Sequence, residues 1–367
     1  MALISATMLY CNFARLKPRF SGMKLLFLLL LPSVLFAQWQ PQTSGTEANF
    51  RAVSAVSRNV VWVGGSQGTF VRTTDGGKTW QAGTVPGAET CDFRDVQGFS
   101  ASEAILMAAG PAEKGQARLY RTTNGGKTWK LIYQTGQAGV FFDSMDFWNR
   151  WEGMVFSDPV NGTWYIMTTT NGGKTWKRIP TDKLPPLQPG EAAFAASGTS
   201  LITRGYKWRM QNYQRAWIAS GGSGKGRIYS IPAVDANWQV TETTIPAGPT
   251  AGIFGLWFDA TGQNGMAVGG DYKAEKAEWA NVSVTSDAGK TWQAGAPTNP
   301  PGLKEGVGRL TGKQLIAVGP SGTGYTDDFG KTWTKIDDSA FHSISCEGGR
   351  CWAVGAKGVI AVLNELK

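Results

Sequence analysis

Short apolar runs, broken every few residues by Gly or polar punctuation, fill most of the chain, and the first complete unit shows their layout. Phe50-Arg51-Ala52-Val53-Ser54-Ala55-Val56 alternates apolar with polar, whereas Val60-Val61-Trp62-Val63-Gly64 is apolar almost throughout. Thr69-Phe70-Val71-Arg72 follows, then a polar turn, then Trp80-Gln81-Ala82. Alternation with period two marks strands buried on one side, and an unbroken apolar run marks a strand covered on both. Four such strands in succession make one blade of a β-propeller.

The polar turn is written five times. Thr73-Thr74-Asp75-Gly76-Gly77-Lys78-Thr79-Trp80 returns with Asn124 and Trp129, with Asn171 and Trp176, with Asp287 and Trp292, and with Asp328 and Trp333 at the same two positions. Repetition with a period of a few tens of residues outranks local signals in deciding a fold. The Asp or Asn accepts hydrogen bonds from backbone N–H groups ahead of it, and the Gly two residues on supplies a positive φ. The closing Trp, with a large apolar body and a single N–H, suits a half-buried seam between units.

The Trp steps are 49, 47, 116 and 41 residues, so the long step hides one unit whose turn has decayed. Its strands are read as Ala192 to Ala196, Ser200 to Thr203, Arg215 to Ala219 and Arg227 to Ser230, with Gly221 to Gly226 as the remnant turn. A further unit begins at Phe341 and stops one strand short, while Gln38-Trp39-Gln40-Pro41 resembles a post-turn strand. The fold class is therefore all-β, a seven-bladed propeller of residues 38–367 whose ring is closed by the first strand of the mature chain. Closure removes free sheet edges.

Ahead of that strand, Arg15, Lys17, Arg19 and Lys24 precede the apolar run Leu25 to Leu31 and a small-residue exit at Ala37. That is the three-part layout of a secretory signal peptide, residues 1–37, with Met23 as an alternative start. Export to a periplasm or the cell exterior follows. Cys346 and Cys351 flank a Gly-rich hairpin turn and face each other there as a disulfide or as two buried thiols.

The chain has 367 residues, 48 of them Gly and 16 Trp, and only 17% are charged, which fits a turn-rich globular protein and not a disordered one. The net charge of +9 is spread without a Lys/Arg run, so it favours an acidic partner in general but gives no nucleic-acid motif. One His and no Cys-His cluster leave no metal centre and no cofactor expected.

The turns resemble the Asp-box, or BNR, repeats of sialidases, some endoglucanases and sortilin-type receptors. From about Trp39 onward the chain is similar to bacterial secreted relatives of the plant and cyanobacterial photosystem II stability/assembly factor. Beyond the Gly-Gly-Lys-Thr-Trp form of the box, Phe156-Ser157-Asp158-Pro159, Gly190 to Thr199 and Val268-Gly269-Gly270-Asp271-Tyr272 carry that similarity. It implies a propeller scaffold which, in photosynthetic members, binds a membrane-protein subunit during assembly.

Boxes joining third and fourth strands would all lie at one end of the ring. The insertions Ala109 to Arg118, Ser157 to Gly162, Arg204 to Gln214 and Gly270 to Asn281 are read as second-to-third loops at the other end. Register places Arg51, Arg94, Asp143, Glu191 and His342 at that end of the channel, joined by Asp158, Arg204, Asp271 and Tyr272. The loop segment Tyr206, Lys207, Trp208 and Arg209 adds base and ring in alternation, suited to a sugar or a peptide carboxylate. The expected function is non-catalytic capture of a protein segment of an envelope or membrane complex, or of a glycan, by a monomer. The alternative is glycoside hydrolysis by Glu191 with Asp158, Asp143 or Asp271.

Overall fold

The computed structural model describes residues 38–205, 207–208, 211–212, 214–232 and 236–366. The segment read as a signal peptide and the loop residues Tyr206 and Arg209 lie outside the described residues.

Seven four-stranded antiparallel sheets are arranged as blades, and no α-helix occurs among the described residues. The first blade consists of Phe50–Ala55, Val61–Gly65, Thr69–Thr73 and Gln81–Thr84, within a residue or two of the alternation in the sequence. The first strand of each blade touches that of the next around the full circle, so these strands line the central channel. The seventh blade is completed from the start of the ring: Gln40–Thr43 pairs antiparallel with Val359–Leu363. Trp39, 2% exposed, fixes this latch by packing against Phe341 with ring centroids 5.0 Å apart and by donating its Nε1 hydrogen to Thr323 Oγ1.

The boxes close on themselves. Gly77 N–H donates to Thr73 Oγ1 at 2.9 Å and Thr79 N–H to Asp75 Oδ1 at 2.9 Å, and the other four boxes repeat both bonds. Gly77 stands at φ 86°, and the residue before it is also left-handed. Ala288 and Phe329 hold that second place at φ 67° and 62°, where a side chain costs energy. The box Trp rings fill seams toward the preceding blade: Trp129 stands edge-on to Trp62 and Phe70 of the first blade.

The fourth blade corrects the sequence reading. Its strands are Leu201–Arg204, Arg215–Ala219, Lys225–Ile231 and Gln239–Pro246, so Ala192 to Ala196 is not its inner strand. That segment instead crosses the channel end, tied to the ring by a bridge between Ala192 and Gly221. The Gly-rich turn at 221–224 consequently joins second to third strand and is no relic of a box.

Cys346 and Cys351 are directly opposite in their hairpin and form a disulfide, while Cys91 is a buried free thiol.

Candidate ligand mouth opposite the Asp boxes

In a four-stranded meander the first-to-second and third-to-fourth connections share one end, and the second-to-third and between-blade connections share the other. The boxes therefore mark one end of the channel and the long second-to-third loops the opposite one. At that opposite end a cavity of about 380 Å³ opens, lined by Arg51, Arg94, Asp143, Asp158, Tyr272 and His342 from the expected set. Glu275, Glu305 and the rings of Phe141, Phe194 and Phe254 complete its wall.

A repeated backbone device puts these side chains there. The inner strands of the first three blades each carry a bulge, between Phe50 and Ala52, Phe93 and Asp95, and Phe142 and Ser144. The extra residue is Arg51, Arg94 or Asp143, and a bulge re-aims the side chain it inserts. The fifth blade bulges between Ile253 and Gly255, which gives Phe254. In the sixth and seventh blades Glu305 and His342 come just before the inner strand and donate their N–H to Val318 and Val354 carbonyls. Glu305 was missing from the expected set, although its place just before Gly306–Thr311 matches that of His342 before Ser343–Glu347. Counting back from Gln314–Val318 in the same way reaches it.

The charged groups are unevenly committed. Arg94 Nε donates to Asp92 Oδ2 at 2.8 Å and Nη1 to the Ala195 carbonyl at 3.3 Å, and its guanidinium lies 5.9 Å from the Phe141 ring centroid. Arg51 meets Glu305 only at 3.8 Å, and Glu305 Oε2 is 2.6 Å from His342 Nδ1. Asp143 is 1% exposed and its Oδ2 has no hydrogen-bond partner among the described residues. Burial pushes its carboxyl well above the usual range and the neighbouring Asp158 pushes it further, against a smaller opposing pull from Arg94. Asp158 is raised by burial, although its Oδ1 accepts the Ala193 N–H at 3.0 Å. The aromatic side is built from Phe194, stacked on Phe254 at 4.3 Å, with the 45%-exposed Tyr272 edge-on to it at 6.1 Å.

Five described residues of the expected set are elsewhere. Glu191 is not on an inner strand; it is 7% exposed and accepts bonds from Ser220 Oγ, Arg227 Nη1, Tyr229 Oη and the Gln188 N–H at 2.6 to 2.9 Å. That full set of donors makes it a structural anchor for the 188–191 turn. Asp271 ends the strand Gly265–Asp271, but its Oδ1 accepts the Lys273 N–H at 2.8 Å and it is absent from the cavity wall. Arg204 lies at the box end, since its loop joins the first and second strands of the fourth blade. There it donates Nε to the Phe258 carbonyl and Nη1 to the Thr203 carbonyl, and with Arg309 and Trp257 it lines a separate opening of about 760 Å³. In the same loop Lys207 and Trp208 pair with Asn212 and Gln211 in a two-rung ladder.

With the geometry in place, comparison with known proteins becomes specific. Residues 31–130 match the family model described as photosynthesis system II assembly factor YCF48. Over that stretch the chain is similar to this family, and its fold is an Asp-box propeller. Two solved structures share this ring: YCF48 bound to a D1 peptide, with TM-score 0.62 over 90% of this chain and 98% of that one, and YCF48 from Cyanidioschyzon merolae, with TM-score 0.62 over 89% and 98%. Each is 16% identical to this chain, a level at which the likeness establishes the fold. The GH74 enzyme of Niastella koreensis is 15% identical and covers 83% of this chain and 52% of its own, but at TM-score 0.38 it carries no argument about catalysis. No curated protein matches the sequence.

Proposed function

We propose that this chain is a non-catalytic scaffold that captures a protein segment at the mouth opposite the Asp boxes. The observation that carries this reading is the combination, in one open cavity, of an aromatic wall ending in the exposed Tyr272 and of two carboxyls, Asp143 and Asp158, without an ion-pair partner among the described residues. Binding sites are concave and largely preformed in this way. A protein segment suits the mouth better than a glycan because charge is plentiful there and an exposed ring, Tyr272, stands beside it. A YCF48 propeller bound to a D1 peptide lends the fold a precedent for peptide capture. Glycoside hydrolysis loses its leading acid, because Glu191 is saturated with hydrogen bonds away from the cavity.

Export to a periplasm or the cell exterior remains part of the proposal, supported by the Cys346–Cys351 disulfide, which persists in oxidising compartments. There the ring would serve the assembly or stability of an envelope complex, and one ring carries the whole mouth, so a monomer suffices.

The test is affinity capture of envelope proteins by the wild-type ring, followed by single variants. Tyr272→Ala should lower recovery of the captured protein at least about tenfold with an unchanged melting temperature, and Arg204→Ala should leave recovery intact. Equal recovery by wild type and Tyr272→Ala would refute capture at this mouth.

A further inference from the structure

The charge of the mouth runs against the charge of the protein. The whole chain carries +9, yet the cavity wall offers two arginines, Arg51 and Arg94, against four carboxyls, Asp143, Asp158, Glu275 and Glu305. One of those carboxyls is provided for within the wall itself: Glu305 is held by His342 and Arg51, whereas Arg94 is turned to Asp92 outside this set. Asp143 and Asp158 form no ion pair with any described residue. A buried carboxyl with an orphaned oxygen is costly unless a proton or an incoming cation compensates it. The rings of Phe141, Phe194 and Tyr272 stand in the same cavity. Aromatic faces beside acid groups are the recognition chemistry of alkylammonium ions, and Arg94 above Phe141 shows one of these rings already taking a cation.

We infer that the Asp143–Asp158 pair, walled by Phe141, Phe194 and Tyr272, is a subsite for a lysine side chain of the captured segment. This rests on the proposed capture at the mouth and names its chemistry: a basic segment, selected in spite of the protein's own positive charge. The butyl stem of the lysine lies along the rings, and its ammonium supplies hydrogen bonds to the two carboxyls.

The experiment needs no natural partner. N-acetyl-lysine N-methylamide is titrated into the purified ring, with the norleucine and glutamate analogues as controls, and binding is followed by Tyr and Trp fluorescence. The expected result is saturable binding of the lysine analogue, at least tenfold weaker binding of norleucine, and none of glutamate. Asp143→Asn and Asp158→Asn should each weaken lysine binding at least tenfold while keeping the wild-type fold by circular dichroism. Equal binding of lysine and norleucine, preference for glutamate, no binding of any probe, or retention of lysine binding in both Asn variants overturns the subsite. If Tyr272→Ala still abolishes capture of envelope proteins while the lysine probe fails, the subsite alone is wrong. If Tyr272→Ala has no effect on capture, the mouth itself is misassigned.

Discussion

Aspartates stand at both ends of the ring, in opposite conditions. At the box end Asp75, Asp287 and Asp328 are surrounded by the hydroxyls and N–H groups of their own turn, led by the Thr four residues on. Those donors hold each carboxyl down at about 2. At the mouth end Asp143 and Asp158 have lost water without gaining comparable donors, and burial drives both upward. The difference teaches where carboxylates are provided for and where they are not: the box supplies donors to its own acid group, and the mouth leaves Asp143 Oδ2 without one.

The comparison breaks most visibly if the box end is not the stabilising one. Trp129→Ala should cost roughly 3–5 kcal/mol, as truncation of an aromatic wedged against Trp62 and Phe70 does, and thermal melting reads it directly. An unchanged melting temperature would detach the box from the seam.

Acid titration sharpens the contrast, because the two groups of carboxyls act with opposite sign. A carboxyl raised in the folded state contributes stability that is fully present below its unfolded value of 3.8 and lost as pH rises through the folded value. A box carboxyl contributes stability present above 3.8 and lost as pH falls through about 2. The melting temperature should therefore rise as pH falls through the folded values of the mouth carboxyls toward about 4 and drop below about 3. Asp143→Asn should raise stability above that folded value and flatten the rise. Lys304, buried and held down to about 7, changes charge between about 7 and its ordinary 10.5, so it adds no slope well below pH 7. A melting temperature that falls steadily from pH 7 to 4 would mean the mouth carboxyls are not the strained ones.

Smaller effects test the box chemistry. Asp287→Ala should cost about 1 kcal/mol, the net worth of a turn hydrogen bond, whereas Asp287→Asn should be nearly silent because Asn124 and Asn171 already do the same work. Ala288→Gly should stabilise by a few tenths to about 1 kcal/mol by relieving a left-handed alanine. Both are read from denaturant midpoints, and a destabilised glycine variant would show that the Ala288 methyl contributes more by packing than its backbone costs.

The amino-acid sequence by itself determined what is local or periodic. The five self-closing turns, the seven units, the pairing of Gln40–Thr43 with Val359–Leu363 and the facing of Cys346 and Cys351 all follow from chemistry within a few residues or from counting repeats. The positions of Arg51, Arg94, Asp143 and His342 were legible by counting back along equivalent units, although the bulges that aim the first three interrupt the alternation. Only the tertiary structure decided the fourth blade, where no box marks the register and the Ala-rich stretch 192–196 is as apolar as a strand. Which of two neighbouring segments joins the sheet depends on pairing with Arg215–Ala219, and a slip of one strand moves every later loop to the opposite end. That slip is why Arg204 was expected at the mouth and Glu191 on an inner strand. Glu191 was settled by Ser220, Arg227 and Tyr229, residues far along the chain that supply donors no local pattern announces.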